Sequence, residues 1–163
     1  MKYIIIAIIT ASLLSSCGLC RSKYDDINIE VLDFGLCQSE TISRDEMDNS
    51  LTGNHKNEKL IEFIEHTDSI EALLNAQFAV RYMLKSTKRK NVLIDITWKL
   101  PKGTRDQQGD LMEKVGYQIK QPTNFGVWSS YTLDLPNEVQ RGTWILIIKA
   151  GKKKLLEKNF YLY

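Results

Sequence analysis

The chain has 163 residues, with 22 lysines and arginines against 20 aspartates and glutamates, two histidines and three cysteines. That length fits one domain. A formal net charge of +2 argues against a nucleic-acid binder, and 43% apolar with 26% charged residues argues against a disordered chain.

Met1-Lys2 supplies a positive charge, and Tyr3 to Leu14 is an apolar run broken only by Thr10 and Ser12, the n-region and h-region of a secretory signal. As a helix it reaches about 18 Å, short of the roughly 30 Å of a bilayer core. Leu14-Ser15-Ser16-Cys17 follows, an apolar residue and two small ones before a cysteine. This resembles the lipobox of bacterial lipoproteins. The resemblance implies a diacylglyceryl thioether on Cys17, cleavage after Ser16 and acylation of the new amino group. Residues 1–16 are then a signal peptide and 17–26 a lipidated tether; the alternative is an ordinary secretory signal ending near a cysteine. Several acyl chains, at about 0.8 kcal/mol per buried methylene, hold a protein on a membrane. Residue two after cleavage is Gly18 rather than Asp. By resemblance to the sorting rule of enteric bacteria this favours the outer membrane, with the domain facing the periplasm or the cell surface.

Beyond Cys17 stand Cys20 and Cys37. A straight strand over 27–37 spans about 33 Å, and the steps from Cys20 to Ile27 return only about 25 Å, so a bridge between them requires a bend at Gly35. Without the bend Cys37 is a small packing residue and Cys20 part of the tether.

The body, 27–163, reads as short strands. Ile27, Ile29 and Val31 alternate with polar residues, then Leu32, Phe34 and Leu36 continue on the opposite parity, which places a bulge or a change of sheet near Leu32. Residues 39–59 are polar and read as a long loop, followed by a short apolar stretch from Leu60 to His66. Asp68 to Leu74 has the residues to start a short helix. Phe78 to Leu84 and Val92 to Leu100 alternate cleanly and are joined by a polar connection, Ser86 to Asn91. Val115 to Ile119 and Tyr131 to Leu135 are further strands, and the chain ends in a hairpin turning at Ala150-Gly151-Lys152. This spacing predicts an all-β, immunoglobulin-like β-sandwich of seven or eight antiparallel strands, with Trp98 and Trp144 as core anchors.

Ile29-Glu30-Val31-Leu32-Asp33-Phe34-Gly35, Thr67-Asp68-Ser69-Ile70, Phe78-Ala79-Val80-Arg81-Tyr82 and Gly142-Thr143-Trp144 with the closing hairpin together resemble domain of unknown function 3859, from about residue 26 onward. The resemblance implies a secreted bacterial protein with an immunoglobulin-like sandwich, and carries no catalytic residue. The chain departs from the family pattern at Glu71 and Asn75. Asparagine tolerates a left-handed backbone best among non-glycine residues, so Asn75 keeps the turn.

No catalytic constellation, cofactor motif or metal-ligand spacing emerges. His66 with Asp68 and Ser69 is read as a strand end and capped turn, since catalytic triads assemble from separate elements. Asp45, Glu46, Asp48 and Asn49 gather oxygen ligands but lack EF-hand spacing. The basic residues are better organised. Lys88, Arg89 and Lys90, with Lys85, flank one connection; Lys152, Lys153 and Lys154, with Lys149, flank the last turn. In an immunoglobulin sandwich these are the B–C and F–G loops, side by side near the start of the first strand. They can face phosphate head groups or another anionic envelope polymer, or simply be solvated lysine turns that blunt sheet edges. The first expectation is a lipid-anchored, non-enzymatic module binding an envelope polymer or protein. The second is an envelope enzyme or enzyme accessory acting on peptidoglycan or glycan.

Overall fold

The computed structural model describes residues 23–47 and 50–163. Cys17, Cys20, Asp48 and Asn49 lie outside the described residues, and with them the lipidation of Cys17 and the bridge to Cys37. Strands β1 (Asn28–Glu46), β2 (Asn54–Glu65), β4 (Gln77–Lys85) and β7 (Gly126–Thr132) form one sheet in the order β2-β1-β4-β7. Strands β3 (Ser69–Ile70), β5 (Asn91–Lys99), β6 (Lys114–Pro122), β8 (Gly142–Ala150) and β9 (Lys153–Leu162) form the other, in the order β3-β9-β8-β5-β6. All pairs are antiparallel except β3 with β9. No α-helix occurs among the described residues, and none of their helices is long and apolar enough to cross a membrane.

The inward parity of β4, Phe78, Val80, Tyr82 and Leu84, packs against Ile94, Ile96 and Trp98 of β5 and Trp144, Leu146 and Ile148 of β8. Phe78 meets Trp98 and Trp144 edge-on, with centroids 5.5 and 6.0 Å away. Both tryptophans are buried, as their place on alternating strands requires. Asn75 has φ +67°, the left-handed turn expected of it.

The polar stretch 39–59 is not a loop. β1 continues to Glu46 and returns as β2, so most of this segment is a two-stranded arm. Its pairs are polar, Glu40 with Lys59 and Arg44 with Lys56 among them, so the backbone ladder holds it without the apolar alternation that marks a half-buried strand. The bulge falls at Leu32, where the register with β4 shifts between Val31 and Asp33. At Gly35 (φ +141°) β1 passes from β4 to β2, and a Cβ there would lie 2.0 Å from the Glu65 carbonyl oxygen, so only glycine fits. Asp68 to Leu74 starts no helix; Tyr161 N–H binds the Asp68 carbonyl and Ala72 N–H the Tyr163 carbonyl, drawing the segment onto β9 as β3. The Ser86 to Asn91 connection joins strands of different sheets. The strand expected over 131–135 begins earlier, at Gly126, and yields after Thr132 to a 3-10 turn at Pro136–Glu138.

Candidate functional site

Both basic connections fold against residues 23–27, where the chain enters the domain. Ser86 is buried and its hydroxyl donates to Asp26 Oδ2 at 2.8 Å, while the N–H groups of Lys88 and Arg89 donate back to Ser86 Oγ at 3.1 Å each. Arg89 Nε reaches Asp26 Oδ1 at 3.4 Å and its Nη2 donates to the Lys23 carbonyl at 2.7 Å. From the other loop, Lys153 Nζ donates to the carbonyls of Ile27 at 2.5 Å and Asp25 at 3.2 Å. Tyr24 lies between the loops, under the Arg89 guanidinium at 5.6 Å and against Gly151, whose added Cβ would meet its ring at 2.9 Å. The Ser86 hydroxyl, helped by Arg89 and opposed by burial, holds the Asp26 carboxyl below its ordinary value.

The six lysines and arginines singled out in the sequence thus divide. Arg89 and Lys153 are occupied in holding the entry segment. Lys154 pairs with Glu157 at 2.6 Å. Lys88, Lys90 and Lys152 are exposed and form no ion pair among the described residues.

A second feature lies under the arm, which springs from the end opposite the basic loops. Glu58 of β2 accepts from Ser130 Oγ at 2.7 Å and Gln77 Nε2 at 2.8 Å, side chains on the outward parity of β7 and β4. Lys56 pairs with Asp134. At the tip Leu51 is buried in the core, and the His55 ring packs on Tyr117 of β6 at 4.2 Å. The arm therefore reaches from one sheet to the other, and among the described residues it is held to β6 and β7 by side chains, β2 pairing there only with β1. Beneath it is a cleft of about 250 Å³ whose walls include Glu58, Trp98, Tyr117, Gln121, Trp128 and Tyr131. Burial lowers the His55 pKa against the opposing pull of Asp45 and Glu58. Burial also raises the Glu138 carboxyl, although the Tyr131 hydroxyl and the N–H groups of Asp134 and Leu135 donate to it at 2.7–2.8 Å. The cleft was not legible in the sequence, because 54–58 reads there as loop.

The remaining candidates stand apart from both places. His66 Nδ1 meets Asp33 Oδ1 at 2.8 Å on an exposed surface, with its ring on Phe34 at 4.1 Å. Asp68 pairs instead with Lys158 at 3.3 Å, so His66, Asp68 and Ser69 form no triad. Asp45 accepts from Asn57 Nδ2 at 2.7 Å within the arm. No group of three or more metal-ligating side chains gathers among the described residues. Cys37 is buried and has no disulfide partner among the described residues, and as a thiol its pKa is pushed up to about 12 chiefly by burial.

Two sheets packed face to face over a tryptophan-rich core define an immunoglobulin-like β-sandwich. The chain belongs to the family described as Domain of unknown function (DUF3859), which matches residues 26–162. Its fold is similar to that of an immunoglobulin-like protein from Pseudomonas aeruginosa, at 18% identity and a TM-score of 0.59, over 87% of this chain and 100% of that one. An alkylpurine DNA glycosylase from Pseudomonas fluorescens aligns at 9% identity with a TM-score of 0.44, over 84% of this chain and 30% of that one. No curated protein matches the chain.

Proposed function

We propose that the protein is a non-enzymatic binding module, anchored by lipid on Cys17 in the bacterial envelope, whose basic end faces the membrane or an anionic polymer lying on it. One observation carries this reading: both basic connections are clamped onto residues 23–27, the segment that leads back to Cys17. Six peptide steps separate Cys17 from Lys23 and extend at most about 21 Å. An acylated Cys17 therefore holds Lys88, Lys90 and Lys152 close to the surface, where each lysine contributes about 1 kcal/mol of attraction to anionic head groups. Attraction falls off within about 8 Å at physiological salt, so the tether's shortness matters. Recognition through loops on a rigid sandwich is the ordinary use of such a scaffold.

The test is flotation of a chain beginning at residue 17 with Cys17→Ala, free of both the lipid and the apolar run 3–14, with liposomes rich in phosphatidylglycerol, beside the same chain carrying Lys88→Gln, Lys90→Gln and Lys152→Gln. These three lysines are chosen because Arg89 and Lys153 hold the fold. The expected result is salt-sensitive binding that the triple substitution abolishes. Equal flotation of the two proteins, or none by either, refutes the basic-end reading.

A further inference from the structure

The turn between β6 and β7 carries Phe125, a large apolar side chain that is 64% exposed. Apolar residues scattered singly over a surface are ordinary. Phe125 differs in what holds it. Asn124, in the left-handed region at φ +57°, sets the turn. Its N–H donates to the Leu84 carbonyl at 2.7 Å and its Nδ2 to the Ser86 carbonyl at 2.7 Å, while Ser86 N–H donates to Asn124 Oδ1 at 3.3 Å. Thr123 N–H donates to the Lys90 carbonyl at 3.0 Å, and the Thr123 hydroxyl donates to the Arg89 carbonyl. Five hydrogen bonds thus fasten the turn to the end of β4 and the basic connection after it.

Ser86 has a second part in this. The same buried residue gives its hydroxyl to Asp26 of the entry segment. One serine therefore joins the segment that leads back to Cys17, the connection that bears Lys88 and Lys90, and the turn that bears Phe125. The Phe125 ring packs on no other ring among the described residues. At the next residue, Gly126, Leu32 Cδ1 and Arg81 Nε lie 3.4 and 3.5 Å from the place a Cβ would take, and Leu32 is itself 40% exposed. Exposed apolar side chains and cations thus stand beside one another.

These neighbours select a partner. A soluble anionic polymer meets the lysines through charge and leaves the ring in water. A specific protein partner buries roughly 800 Å² on each side, far more than two partly exposed side chains offer. A lipid bilayer takes both features: anionic head groups meet the lysines, and the apolar boundary just below them takes the ring. The turn is already fixed by its hydrogen bonds, so insertion orders little that was free.

We propose that Phe125 inserts its ring at the boundary between head groups and acyl chains of the membrane on which Cys17 is anchored. This rests on the basic-end reading and deepens it, choosing lipid over an anionic polymer as the surface met.

The experiment has two arms. In the first, the full chain carrying Phe125→Trp is extracted from its native envelope and reconstituted in phosphatidylglycerol-rich vesicles, with or without brominated acyl chains. There the acylated amino terminus holds the protein whatever the lysines do, and the unsubstituted chain supplies the background from Trp98, Trp128 and Trp144. Blue-shifted emission from the added indole, most of it lost to bromine, is expected. The second arm floats the chain beginning at residue 17 with Cys17→Ala, with and without Phe125→Ser, on phosphatidylglycerol-rich liposomes. Phe125→Ser is expected to weaken partitioning about 10-fold, and to do so at about 0.5 M salt as well, where the lysines are screened. Unquenched emission at position 125, or equal partitioning of the two proteins wherever they float, overturns the proposal. If neither floats, the first arm decides alone. Flotation that needs Lys88, Lys90 and Lys152 while the emission stays unquenched keeps the basic-end reading and overturns this one. Quenching, with flotation indifferent to the three lysines, supports insertion and overturns the lysine attraction.

Discussion

The Gln77 side-chain amide lies 2.8 Å from the Glu58 carboxylate, joining the root of β4 to the returning strand of the arm. The same nitrogen lies 2.7 Å from Ser39 Oγ, so one buried amide ties both strands of the arm to the sheet. Replacing it with leucine leaves the half-buried Glu58 carboxylate and Ser39 without this donor. Gln77→Leu is expected to cost about 1–3 kcal/mol in urea unfolding and to raise hydrogen exchange at 54–58 more than in β8. Unchanged protection of 54–58 would show that the arm is held by other contacts.

The two core tryptophans differ in one bond. Trp144 Nε1 donates to the Gln140 carbonyl at 3.2 Å, whereas Trp98 Nε1 has no acceptor among the described residues. Trp144→Phe loses ring volume and orphans a carbonyl; Trp98→Phe loses ring volume and removes an unpaired donor. Trp98→Phe is therefore expected to be the milder change by about 1 kcal/mol, read from chemical unfolding of the two variants. The reverse order would mean that the Trp98 N–H has a partner in solution.

Acid acts on the entry clamp through Asp26. Its pKa is lowered in the fold, mainly by the Ser86 hydroxyl, so the unfolded chain binds more protons than the folded one at mildly acidic pH. The stabilisation is complete above the unfolded value near 3.9 and is lost as pH falls through the lower folded value. Asp26→Asn should therefore destabilise the protein at pH 7, and the gap to the unsubstituted chain should shrink below about pH 4. A gap independent of pH between 7 and 3 contradicts this.

Those parts of the fold that bury one face were legible in the residues. Phe78 to Leu84 and Val92 to Leu100 alternate because each faces the other sheet, and Trp98 and Trp144 fall on that face. The neighbourhood of the two basic loops followed from the same strand order. The arm was hidden because it buries little: Glu40, Lys59, Arg44 and Lys56 are cross-strand partners, and such a ladder leaves no apolar period. The cleft was hidden with it, since Glu58 meets Ser130 only after a turn that the sequence reads as loop. Asp68 to Leu74 was misread because the parallel bridge to β9 depends on residues about ninety positions later, Tyr161 and Leu162.

The central claim, a sandwich tethered by lipid through Cys17, is tested most directly by intact mass spectrometry of the protein extracted from its native envelope. The expected product begins at Cys17, lacks residues 1–16 and carries a diacylglyceryl thioether and an N-acyl chain. A chain retaining residues 1–16, or one beginning at Cys17 with a free thiol, contradicts the account.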